Sequence, residues 1–137
     1  MSRWTCPACD REFGRANQSH VCVPGCTPAE TFAGHNPVYP EIYAEIMAHL
    51  ESLGPVHADA VKVGVFLKST RKLAEIRPKA RSLTMWLALP HAVVSPRITR
   101  QERTSADTVY HVLKLHSVSD VDEELREWLT IAYDFAT

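Results

Sequence analysis

All four cysteines of this 137-residue chain fall within its first 26 residues, and that clustering constrains the fold more than any other feature. Cys6-Pro-Ala-Cys9 is the C-x2-C turn in which two thiolates close on one metal ion, and ten residues separate Cys9 from His20. Cys22 and Cys26 both lie within reach of the fourth corner, and spacing alone leaves that choice open. Zinc takes four nitrogen or sulfur ligands in a tetrahedron, and structural sites fill all four positions. The predicted cofactor is therefore a structural Zn2+ held by Cys6, Cys9, His20 and either Cys22 or Cys26. A segment this small buries too little apolar surface to fold alone, and zinc supplies about 10–16 kcal/mol of apparent binding free energy. Phe13 is the expected centre of the miniature core, with Trp4 packed outside it.

Metal ligation is preferred to disulfides because a disulfide-stapled secreted chain spreads its cysteines and follows an apolar leader. No apolar run stands behind Met1-Ser-Arg-Trp4, and no later run approaches about 18 apolar residues. These features predict a cytoplasmic protein with no membrane partner. Two-Cys, two-His fingers that read DNA place about twelve residues between the second Cys and the first His. The gap of ten here predicts a short helix, Arg15 to His20, and a single finger that is structural or contacts a protein.

The rest of the chain predicts one α+β unit. The expected division is a finger over 1–26, a linker over 27–36 containing Pro28 and Gly34, and a domain over 37–137. Asn36-Pro37 opens a helix carrying Ile42, Tyr43, Ile46, Met47, Leu50 and Leu53 at helical spacing, and Gly54-Pro55 stops it. The period then changes to two. Val61 to Leu67 reads as a strand, Lys72 to Arg77 as its return, and Leu83 to Leu89 as a third. A more polar strand follows near Arg97 to Thr104, and a last one spans Val109 to Leu115. Ser119 and Asp122 mark the start of a closing helix with Val121, Leu125, Trp128, Leu129, Ala132 and Tyr133 on one face. The expected architecture is an antiparallel sheet of about five strands with both helices on one face.

Net charge is −1, so bulk charge selects no partner, but its distribution is uneven. Residues 62–114 hold eleven Lys and Arg against three acids, +8, whereas the chain from Ser117 holds six acids and one Arg, −5. Lys72, Arg77, Lys79, Arg81, Arg97, Arg100 and Arg103 are candidates for phosphate contacts on a free sheet face, with Trp86 and Tyr110 as stacking platforms. Glu75, Arg77, Trp86 and His111 are candidates for a ligand pocket. His111 falls on the apolar side of its strand, as a hydrogen-bonded core histidine or a site residue.

The pattern Trp4-x-Cys6-Pro7-x-Cys9, Phe13, Asn17-Gln18-x-His20-x-Cys22 resembles the family called domain of unknown function 5655. So do Gly54, Ala74-Glu75-Ile76-Arg77-Pro78, Tyr110-His111-Val112 and Trp128-Leu129-Thr130-Ile131-Ala132-Tyr133. The resemblance spans nearly the whole chain, with the domain proper from about Thr31. It implies the His-x-Cys ending, and so ranks Cys22 above Cys26 as fourth ligand. Leu73 stands where the family pattern has Phe, and Cys26 is an extra cysteine. The family carries no established activity, so the resemblance implies architecture alone. The first functional expectation is a non-catalytic, zinc-containing binding module acting through protein or small-ligand contacts. The second is a nucleic-acid-binding protein using the basic face. The third is an enzyme with its site near Glu75, Arg77 and His111, although no nucleophile elbow, phosphate loop or hydrolytic carboxylate pair is present.

Overall fold

A computed structural model describes residues 3–137. Two short strands, β1 (Trp4–Thr5) and β2 (Glu12–Phe13), form an antiparallel ribbon that brings Trp4 opposite Phe13. After the segment carrying Cys6, Cys9, His20 and Cys22, β3 (Gly25–Cys26) joins the main sheet. A one-turn helix, α1 (Pro28–Phe32), follows within the expected linker. Its sequence explains it: Thr27 Oγ1 accepts the Glu30 amide at 3.2 Å, Glu30 returns to the Thr27 amide at 3.1 Å, and Pro28 occupies the first turn.

Helix α2 (Val38–Leu53) begins where Asn36 Oδ1 accepts the Val38 amide at 3.0 Å. It buries Tyr39, Ile42, Ile46 and Leu50, and ends at Gly54, whose φ of 155° suits glycine alone. Strands β4 (His57–Val61), β5 (Gly64–Lys68), β6 (Lys72–Pro78), β7 (Leu83–Leu89), β8 (Ile98–Arg103) and β9 (Val109–Leu115) complete an antiparallel sheet ordered β3-β4-β5-β6-β7-β9-β8. The chain closes with α3 (Glu123–Ala136), capped by the Asp122 carboxylate, which accepts the Leu125 amide at 3.0 Å. Ser117 and Asp120, rather than Ser119 and Asp122, form the capping box, and it closes a separate 3-10 turn over Val118–Asp120.

The sheet has seven strands where about five were expected, and both long helices lie on one face. The difference arises at two places. The alternation from Val61 to Leu67 predicted one strand, but the chain reverses at Lys62-Val63 and pairs Val61 with Gly64. A Cβ on Gly64 would meet the Ile76 carbonyl oxygen at 2.9 Å, so glycine is what lets the hairpin lie against β6. The second addition is β3, too short to show a period.

Strand alternation sorts the side chains. Ile76, Met85, Leu87 and Leu113 face the helices and form one core with Ile46, Leu50, Leu125, Trp128 and Leu129. The opposite face carries the register row Asp59, Phe66, Glu75, Trp86, Val112 and Arg100, and among the described residues no helix covers it.

Candidate metal centre and the groove beside it

The Cys6–Cys9 segment is shaped by its backbone. The Asp10 amide donates to the Cys6 carbonyl at 2.7 Å, the Cys6 amide donates to Arg11 at 2.9 Å, and Asp10 adopts φ 60° to close the loop. Residues Arg15 to His20 form no helix, contrary to expectation. Asn17 has φ 57°, a left-handed value that asparagine tolerates and a helix does not, and the segment bends back through turns. No recognition helix is therefore presented by Arg15, Asn17 and Gln18.

These turns bring Cys6, Cys9, His20 and Cys22 together, with all ligand atoms within 4.8 Å of one another. Cys6 Sγ lies 3.8 Å from Cys22 Sγ, and His20 Nε2 lies 3.4 Å from Cys9 Sγ and 3.2 Å from Cys22 Sγ. A tetrahedral ion with metal–sulfur bonds of about 2.3 Å and metal–nitrogen bonds of about 2.0 Å separates sulfurs by about 3.8 Å and sulfur from nitrogen by about 3.5 Å. The donor set fits such an ion. His20 Nδ1 lies 2.6 Å from the Gln18 carbonyl, so Nδ1–H donates there and the Nε2 lone pair is free to face the metal. Phe13 stacks on the His20 ring at 3.9 Å, and Trp4 lies 6.1 Å from both rings. Cys26 is held away from this cluster in β3, with Sγ 3.4 Å from Thr31 Oγ1.

The knuckle is locked to the sheet. Arg11 Nε donates to Asp59 Oδ1 at 3.0 Å, Arg11 Nη2 donates to Asp59 Oδ2 at 2.9 Å, and Lys68 Nζ donates to the same Oδ2 at 3.0 Å. Lys68 also reaches the Glu12 carbonyl at 3.2 Å, and its ammonium sits 4.2 Å from the Phe13 ring centroid. All three charged side chains are buried, at 4 to 7% exposure. Burial alone would raise the Asp59 pKa, but hydrogen bonds from Arg11 and Lys68 outweigh it and hold the carboxyl below its ordinary value. Burial lowers Lys68, opposed by the same carboxylate, which Lys68 must share with Arg11. Gly14 completes the join, since a Cβ there would lie 2.6 Å from the Thr70 carbonyl oxygen.

Between knuckle and open face runs a groove of about 810 Å³. Its knuckle wall includes Phe13, Arg15, His20, Val21 and Val23, and its sheet wall includes Val63, Phe66, Arg71, Lys72 and Arg77, with Arg11 and Lys68 between. Six cations line it, and the carboxylates that touch them are Asp59 and Glu75. Glu75 pairs with Arg77 and, at 3.5 Å, with Lys72. Val21, Val23 and Val63 are exposed along its walls.

The expected site residues are thereby divided. Glu75, Arg77 and Trp86 share the open face, with the Arg77 guanidinium 5.6 Å from the Trp86 ring. His111 pairs with Leu87 on the helix-covered face and is separated from them by the sheet. There Nδ1–H donates to Val109 at 3.0 Å and Nε2 accepts the Val93 amide at 2.9 Å, which makes it a structural anchor for the β7–β8 loop. Among the basic candidates, Lys72 and Arg77 line the groove and Arg100 lies farther along the open face. Lys79 and Arg81 sit in the β6–β7 turn, and Arg103 bonds the Ala106 carbonyl. Arg97 turns to the helix side, bonded to Asp122 at 2.8 Å and Glu124 at 3.2 Å and 5.8 Å from the Trp128 ring. The basic candidates therefore form no single contiguous patch. Sequence reasoning missed Arg11, Asp59, Lys68 and Phe66; an Asp flanked by Ala58 and Ala60 just before Val61 was the available signal.

Among the described residues no helix is long and apolar enough to cross a membrane. No curated protein and no solved structure matches the chain. The knuckle precedes the segment that does find a relative. Residues 29–136, running from within α1 through α2, strands β4 to β9 and α3, match the family described as Domain of unknown function (DUF5655), and the chain belongs to that family.

Proposed function

We propose that the protein is a non-catalytic, zinc-containing binding module whose ligand site is the groove between knuckle and sheet. Three thiolates and one imidazole suit Zn2+, and four protein ligands leave the ion no open position for substrate. Its role is to hold one wall of the groove in place. The observation that carries the reading is the lining itself: six cations, two carboxylates already engaged with them, and apolar flanks from Phe66, Val63, Val21 and Val23. That combination suits an anion with an apolar body, and the groove lies within the range of about 300–1,000 Å³ typical of ligand sites. The enzyme reading loses its shared site, because His111 is committed to Val93 and Val109 across the sheet.

The test is titration of the zinc-loaded chain with anilinonaphthalene sulfonate, a flat apolar anion that fluoresces when sheltered. Lys72→Gln with Arg77→Gln is expected to weaken binding by about tenfold or more, as is raising salt. Lys79→Gln with Arg81→Gln removes the same charge from the β6–β7 turn and is expected to leave binding unchanged. Equal effects of the two pairs, with native circular dichroism in both, would place the binding outside the groove.

A further inference from the structure

We infer that the ligand of this groove is single-stranded nucleic acid, which leaves the groove across Phe66, Trp86 and Tyr110 on the open sheet face. This rests on the groove reading above and adds the chemical class of the ligand. The three rings stand on β5, β7 and β9, all half-buried, and all on the face opposite the helices. Phe66 and Trp86 occupy one register row through Glu75, and Tyr110 lies on the same face two residues along β9 from Val112, the next member of that row. Neighbouring strands are about 4.8 Å apart, so rings two strands apart stand about 10 Å from each other, a step that an extended chain of bases can bridge.

Each ring has a cation at its face. Lys72 Nζ lies 5.3 Å from the Phe66 centroid and 5.4 Å from that of Tyr110, and the Arg77 guanidinium lies 5.6 Å from Trp86. Glu75 holds both cations in this position from between the strands. A phosphate arriving beside Lys72 or Arg77 competes with Glu75 for the cation and draws it off the ring, which opens a π face for a base. Lys114 continues the positive charge past Trp86 on the same face, where Arg100 is paired with Glu102 at 2.8 Å. A duplex turns its base faces inward and offers the rings nothing to stack on, and an acidic peptide answers the cations without a repeating flat group. An unpaired strand answers both.

The experiment measures anisotropy of a labelled oligothymidylate of about twelve nucleotides against the zinc-loaded full chain. A duplex of equal length and polyglutamate serve as competitors. Expected are salt-sensitive binding, quenching of indole fluorescence that disappears in Trp86→Leu, and a loss of about tenfold in affinity for each of Trp86→Leu and Tyr110→Leu. Should Trp86→Leu perturb the fold, Lys114→Glu at the exposed end of the same track is expected to weaken the oligonucleotide severalfold and leave the naphthalene dye unaffected. Equal binding of duplex or polyglutamate overturns the inference, as does absence of oligonucleotide binding at low salt. Dye binding that persists without oligonucleotide binding would refute the nucleic-acid assignment alone, whereas loss of both would remove the groove reading with it.

Discussion

Replacing Asp59 by alanine tests the join between knuckle and sheet. Asp59 is the carboxylate shared by Arg11 and Lys68, and all three side chains are at most 7% exposed. Without it Arg11 loses its bonds to both carboxylate oxygens and Lys68 loses one, and no other carboxylate pairs with either cation among the described residues. Arg11 cannot shed its proton. Lys68 keeps only the Glu12 carbonyl. Removing one partner of a buried pair costs about 3–5 kcal/mol, because a charge is left buried without compensation. For a domain with about 5–15 kcal/mol of stability that is a large fraction. With a urea m-value of about 2 kcal/mol/M the midpoint should fall by about 2 M, read by far-ultraviolet circular dichroism of the zinc-loaded protein. The triple replacement Asp59→Ala, Arg11→Met and Lys68→Met is expected to recover most of the loss, since no charge is then stranded. Acid supplies the same test without mutation. The folded Asp59 pKa lies below the unfolded value of about 3.9, so its contribution is present above that pH and is lost as pH falls through the folded value. A midpoint shift under about 0.5 M for Asp59→Ala would refute the argument, because it would mean that water or relaxation already compensates both cations.

Metal stoichiometry separates the cysteines: Cys9→Ser or Cys22→Ser should abolish stoichiometric zinc binding, and Cys26→Ser should retain one ion per chain, measured by elemental analysis after desalting. Burial holds the His111 pKa below its ordinary value, against the opposing hydrogen bond to Val109, so the folded state keeps this ring neutral. As pH falls below about 6.5 the unfolded chain takes up a proton that folded His111 refuses, and stability drops; His111→Gln should flatten that part of the urea-midpoint profile relative to the unsubstituted chain.

The long amphipathic elements were legible because each buries one regular stripe. Ile42, Ile46 and Leu50 announced α2, and Leu83, Met85, Leu87 and Leu89 announced β7. What escaped was decided by contacts distant in sequence. The β4–β5 reversal depends on Gly64 meeting Ile76, twelve residues on, so a period-two pattern ran straight through the turn. The supposed finger helix failed for a local reason, the left-handed Asn17, which sequence spacing does not show. The candidate metal ligands were readable since cysteine spacing along the chain is itself the signal. His111 shows both sides of that approach: its place on the apolar side of β9 is legible from alternation, whereas its separation from Glu75 and Arg77 by the sheet depends on pairing with β7.

The groove is not legible from either half of the chain alone. Arg11 and Phe13 belong to a segment of little periodicity, and Phe66, Lys68 and Lys72 look like the ordinary outer face of a strand pair. Asp59 links them, because its carboxylate fixes Arg11 of the knuckle and Lys68 of β5 on one pair of oxygens. An ion held by Cys6, Cys9, His20 and Cys22 would fix His20, which stacks on Phe13, and Phe13 lies under the Lys68 ammonium that completes the ion cluster. Loss of the ion should therefore loosen the groove wall before it affects the sheet, whose core of Ile46, Leu87, Leu113 and Leu129 makes no use of the knuckle. For the proposed ligand, affinity is therefore expected to respond to metal removal before the global unfolding midpoint does.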